Sequence, residues 1–128
     1  VGTAKKVLVV DDSAVLRASV KFTLSAQGFD IVEANDGKHG LDVLRGLVEA
    51  EQRPAIILSD INMPVMDGIT FIKYVKQTSC KFIPILVLTT ESQESKKQEG
   101  KAAGASGWLV KPFTEEQLVG AVKRFVKD

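Results

Sequence analysis

Four reactive or aromatic side chains occur only once each in this chain: Cys80, His39, Trp108 and Tyr74. A single cysteine excludes an internal disulfide and a cysteine-rich metal site, and it fits a reducing cytoplasm, the expected location. Long hydrophobic runs are missing too. None approaches the ~20 residues a membrane helix needs, and no charged-then-apolar signal segment opens the chain, so membrane insertion is not expected. Neither sign of charge is in excess. Seventeen Lys and Arg stand against 16 Asp and Glu, a net charge of +1, which gives no general reason to expect nucleic acid as the partner. Internal repeats, linkers and low-complexity stretches are not found.

What is present is ordinary globular material. A hydrophobic share of 45% and a charged share of 26% argue against disorder. The 128 residues suffice for one domain, spanning 1–128, with one sizeable core and no structural metal.

Four short apolar runs stand out: Val7-Leu8-Val9-Val10, Ala55-Ile56-Ile57-Leu58, Ile85-Leu86-Val87-Leu88 and Trp108-Leu109-Val110. Each is too short for a helix and lacks polar alternation, as a strand buried on both faces of a parallel sheet does. A fifth segment, Asp30 to Ala34, is more polar and suits a strand nearer an edge. Between these lie helical stripes: Leu16, Val20 and Leu24; Leu41, Leu44, Leu47 and Val48; Ile69, Ile72 and Val75; and Leu118, Val122, Phe125 and Val126. Thr114 with Gln117 reads as a capping box. The stretch from Ser92 to Ala103 is mostly polar and carries Gly100, so its helix is expected to be marginal. Five alternations of strand and helix imply an α/β domain with a parallel sheet and right-handed crossovers.

In open parallel sheets, ligands bind outside the carboxyl ends of the strands. The residues following the apolar runs are Asp11-Asp12, Ser59-Asp60, Thr89-Thr90 and Lys111. Taken singly, each has a plain structural use. An aspartate, or Ser13, could cap the first helix, Asp60 could belong to the turn before Asn62-Met63-Pro64, and the threonines could cap a helix. Taken together, three unpaired carboxylates at one sheet end repel one another and want a cation. Oxygen ligands with no His or Cys nearby select magnesium, manganese or calcium rather than zinc. With a lysine and a hydroxyl alongside, such a site stabilises a phosphoryl group in transfer, and a carboxylate can itself be the nucleophile. His39, alone on the second helix and so expected away from the sheet end, reads as a solvated or packing residue. Cys80 reads as a partly buried thiol, and the basic residues Lys96, Lys97, Lys101, Lys123, Arg124 and Lys127 read as solvated helix faces.

The segments Val9-Val10-Asp11-Asp12-Ser13, Ser59 to Gly68, Leu88-Thr89-Thr90 and Gly104 to Phe113 resemble those of response-regulator receiver domains, in order and over nearly the whole chain. Thr89-Thr90-Glu91-Ser92 and the last segment look most like stand-alone chemotaxis regulators of the CheY type. The resemblance implies a flavodoxin-like doubly wound sheet of order 2-1-3-4-5 with five helices. It implies Asp60 as the acceptor of a phosphoryl group from a histidine kinase. It implies Mg2+ held by Asp12 and Asp60, by Asp11 through water, and by the Asn62 carbonyl. Lys111 matches the lysine that pairs with a phosphoryl oxygen, Thr89 the switch hydroxyl, and Thr90 a position whose amide N–H contacts the group. Asn62 and Glu91 match the rim positions that orient the water of dephosphorylation. Trp108 matches the switch aromatic, a position more often Tyr or Phe. Trp is bulkier and donates only through its indole N–H.

The implied function is a monomeric signalling switch rather than an enzyme, with no output domain. Its partner is a protein or peptide on the face of the fourth helix, fifth strand and fifth helix, the flagellar motor switch being one such effector. A phosphate sink, or a regulator of another surface organelle, is the alternative. A haloacid-dehalogenase-like phosphatase is disfavoured, because the aspartate pair after the first strand lacks the Asp-x-Asp arrangement. A flavodoxin-like carrier is disfavoured because no phosphate-binding loop rich in Ser, Thr and Gly follows that strand.

Overall fold

The structure, a computed structural model, describes residues 4–126; Lys127, singled out above, lies outside the described residues. Strands and helices alternate: β1 (Lys6–Val10), α1 (Ala14–Ser25), β2 (Asp30–Ala34), α2 (Gly37–Glu49), β3 (Ile56–Ser59), α3 (Gly68–Val75), β4 (Ile85–Thr89), α4 (Glu94–Ala103), β5 (Gly107–Val110) and α5 (Glu115–Phe125). The five strands pair in parallel in the order β2-β1-β3-β4-β5, as the resemblance implied. No helix among the described residues is long and apolar enough to cross a membrane.

Period-two side-chain alternation turns this sheet into a wall between two cores. On one face Val7, Val9, Ile56, Leu58, Leu86 and Leu88 pack with Val20 and Leu24 of α1 and Leu118 and Val122 of α5. On the other, Leu8, Val10, Ile57, Ile85 and Val87 pack with Leu44 of α2 and with Ile69, Phe71, Ile72 and Val75 of α3. Both faces of β1, β3 and β4 are therefore dry, which is why their sequences show no polar alternation.

Side chains cap four of the helices: Ser13, Asp36, Asp67 and Thr114 each accept a backbone N–H of the first turn, with Gln117 completing the capping box at Thr114. The exception is α4, whose N-cap, Gln93, makes no side-chain bond and which buries only Gly100.

Three expectations need correction. The run at Trp108 is not buried on both faces. As β5 it is the second edge strand, half-buried, with Val110 exposed, because only β4 flanks it. Gly100 is more than a weak point in α4: a Cβ there would lie 2.8 Å from Trp108 Cζ3, so the indole occupies the space a side chain would need. Cys80 is fully buried rather than partly so, because it follows α3 into the core beneath that helix.

Candidate phosphoryl-transfer site

Strand register brings the predicted residues together. Val10 of β1 lies opposite Ser59 of β3, so the next residues, Asp11 and Asp60, leave the sheet side by side. Thr89 lies opposite Val110, and the Lys111 N–H donates to the Thr89 carbonyl at 2.8 Å, which sets Lys111 at the same end. Ligand oxygens of Asp11, Asp12 and Asp60 all lie within 4.8 Å of one another.

Asp60 is 7% exposed and firmly oriented. Its Oδ1 accepts the Ile61 N–H at 2.7 Å and the Asn62 N–H at 3.3 Å, while Lys111 Nζ donates to Oδ2 at 3.4 Å. Its backbone is fixed as well, with the N–H on the Val10 carbonyl at 3.0 Å and its own carbonyl taking the Ser59 hydroxyl at 2.9 Å. The first turn of α3 presses on it from behind. A Cβ on Gly68 would lie 2.0 Å from the Asp60 carbonyl oxygen, so only glycine fits there.

Asp11 is buried and doubly held, by the Ser13 N–H at 2.8 Å and by Lys111 Nζ at 2.9 Å. Burial pushes its carboxyl up from the ordinary 3.8; the Ser13 N–H and Lys111 act the other way, and the neighbouring Asp60 adds to the rise. Two of the three carboxylates are thus not unpaired, as the sequence reading had them, because Lys111 reaches both. Asp12 differs. It is exposed, and its carboxylate makes no hydrogen bond or ion pair among the described residues. Three carboxylates against one ammonium still leave negative charge uncompensated, and the donors are all hard oxygens. This set fits a divalent cation of the magnesium class.

The remaining predicted residues lie on β4 and β5 and in the loops that follow β3 and β4. Thr89 is fully buried, and its Oγ1 accepts the Glu91 N–H at 3.2 Å. Thr90 and Asn62 are exposed at the rim. Trp108 donates its indole N–H to the Glu91 carbonyl at 3.2 Å, which ties β5 to the loop after β4. His39 stands closer to this end than its sequence position implied. It lies in the first turn of α2, just past the carboxyl end of β2, where Nδ1 accepts the Asn35 N–H at 3.0 Å.

Sequence reasoning missed Arg17 and the packing role of Gly68. Arg17 donates from Nη1 to the Asp11 carbonyl at 2.5 Å and from Nε to Glu33 at 3.1 Å. The available signals were a cation directly after Leu16 in the apolar stripe of α1, and a glycine eight residues beyond Asp60 at a helix start.

Comparison with known proteins agrees with this fold. The 46%-identical chemotaxis protein CheY4 of Vibrio cholerae superposes with a TM-score of 0.88, over 97% of this chain and all of that one. PhoB of Escherichia coli, a phosphate regulon transcriptional regulatory protein, is 35% identical over 97% of this chain and 52% of its own length. The sensor histidine kinase CheAY of Helicobacter pylori is 34% identical over 94% of this chain and 15% of its own. This chain spans about half the length of the first curated relatives it matches. The model of the response regulator receiver domain, a family that binds Mg2+ at an acidic aspartate cluster and takes phosphoryl groups from histidine kinases, matches residues 7–123. With that match and this arrangement of carboxylates, the chain belongs to the response regulator receiver domain family.

Proposed function

We propose that Asp60 accepts a phosphoryl group from the phosphohistidine of a histidine kinase, and that the resulting change in the domain is read by a protein partner. A carboxylate oxygen of Asp60 attacks phosphorus, the bond to the histidine nitrogen breaks, and the nitrogen keeps the electron pair. Mg2+ bound by Asp11, Asp12, Asp60 and the Asn62 carbonyl would neutralise charge on the phosphoryl oxygens. Lys111 places an ammonium beside the acceptor, the Thr89 hydroxyl and Thr90 N–H receive the transferred group, and Asn62 and Glu91 orient the water that later removes it. One observation carries the reading: the Asp60 carboxylate is held by two backbone N–H groups and by Lys111, at the edge of the carboxylate cluster.

The readout is a short amphipathic protein segment docking on α4, β5 and α5 in the cytoplasm, with no catalysis beyond the domain's own phosphorylation and dephosphorylation. Likeness to CheY4 supports chemotaxis as the setting and a flagellar motor switch as the effector. Acetyl phosphate with Mg2+ should add one hydroxylamine-labile phosphoryl group, and Asp60→Asn should abolish it, since an amide is not a competent nucleophile. Stoichiometric labelling of the Asn variant at another residue would sink the assignment.

A further inference from the structure

Asp12 is the one carboxylate of the cluster with no partner among the described residues, so its position depends on the backbone that carries it. That backbone is the peptide joining Asp11 to Asp12. Its carbonyl oxygen, on Asp11, is gripped by Arg17 Nη1. The same guanidinium reaches Glu33 on β2 through Nε, and its side chain is only 16% exposed. The Asp11 N–H is tied to the Ala34 carbonyl, also on β2, at 3.1 Å. The turn carrying both aspartates is therefore clamped to the edge strand, with Arg17 holding its outgoing half.

We propose that Arg17 is a positioning residue for the cation site: it fixes the Asp11–Asp12 peptide plane so that the Asp12 carboxylate is presented to the ion. The inference rests on the Mg2+ reading given above. A planar fork with fixed donor directions can hold a carbonyl and a carboxylate together, which a single ammonium on a flexible stem does not reproduce. Partners that orient metal ligands are commonly worth 10- to 100-fold in affinity.

The alternative is that Arg17 is merely a nearby cation, and the two ideas predict opposite signs. As a point charge beside an acidic cluster, Arg17 weakens Mg2+ binding. Arg17→Met would then bind Mg2+ more tightly, and Arg17→Lys would match the wild type. As a positioning group, both variants bind Mg2+ more weakly, Arg17→Met by roughly 10-fold and Arg17→Lys by less.

The experiment is calorimetric titration of Mg2+ alone into the wild type, Arg17→Met, Arg17→Lys and Asp12→Ala, with far-ultraviolet circular dichroism to establish that each is folded. Arg17→Lys, which keeps charge and stem, serves if the Met variant does not fold. Weaker binding in the folded Arg17 variants supports the proposal. Unchanged or tighter binding, including unchanged binding with a lowered melting temperature, overturns it. A wild type that binds no Mg2+, or binds it no differently from Asp12→Ala, would instead overturn the cation site on which the proposal rests.

Discussion

The contact between Gly100 and Trp108 offers a perturbation whose sign depends on its partner. Gly100 lies inside α4, where alanine is favoured over glycine by about 0.8–1.0 kcal/mol from helix propensity. The added Cβ would meet Trp108 Cζ3 at 2.8 Å, well inside contact distance. The indole has little room to retreat without straining its bond from Nε1 to the Glu91 carbonyl. Overpacking of this kind costs about 1–3 kcal/mol. The difference predicts that Gly100→Ala destabilises the protein by about 0–2 kcal/mol in the wild-type background. Once Trp108→Leu removes the indole, only the propensity gain remains, and the same change should stabilise by up to about 1 kcal/mol. Urea unfolding followed by far-ultraviolet circular dichroism measures all four proteins without relying on the tryptophan. The expected coupling is about 1–3 kcal/mol. Equal effects of Gly100→Ala in both backgrounds would mean that the indole and α4 do not constrain each other.

Mg2+ at ten times its dissociation constant should stabilise the folded protein by about 1.4 kcal/mol, read as a rise in melting temperature, and Asp12→Ala should remove most of that response. Val65, a β-branched residue at φ +70° and 78% exposed, sits strained in the loop between β3 and α3. Val65→Gly should relieve about 1–3 kcal/mol of strain, less about 0.5–1 kcal/mol for glycine's freedom in the unfolded chain, and a large loss of stability would contradict this. Burial lowers the pKa of Lys76 from 10.5. The unfolded chain therefore holds this proton more tightly, and the group's contribution to stability is full above 10.5 and lost as pH falls through the lowered value. As pH rises through the lowered value toward 10.5, stability should gain on that of Lys76→Met, and parallel curves would exclude the shift.

Most of the architecture was legible because its signals are local. Branched apolar runs without polar alternation marked β1, β3 and β4, and the Thr114–Gln117 box marked the start of α5. Strand order came with the family resemblance rather than from the residues. The site was legible in outline because every strand end of a parallel sheet faces the same way, so residues after the apolar runs must meet. What escaped were contacts between segments distant in sequence. The grip of Arg17 on Asp11 and Glu33 joins α1 to β2, and the Gly100–Trp108 fit joins α4 to β5. Neither leaves a periodic trace. The burial of β5 was misjudged for a related reason: an apolar run reads the same whether one neighbouring strand or two will flank it.

The sparse attachment of α4 has a bearing on how such a domain can diversify. Gly100 is its only fully buried residue, while the Asp60 site is built on β1, β3, β4 and β5. Most of α4's other side chains could be rewritten over generations without opening a hole in either core or displacing a reactive group. Divergence is thereby channelled into the helix, where substitutions can accumulate one residue at a time. Position 100 is the exception, because a side chain added there meets the indole of Trp108.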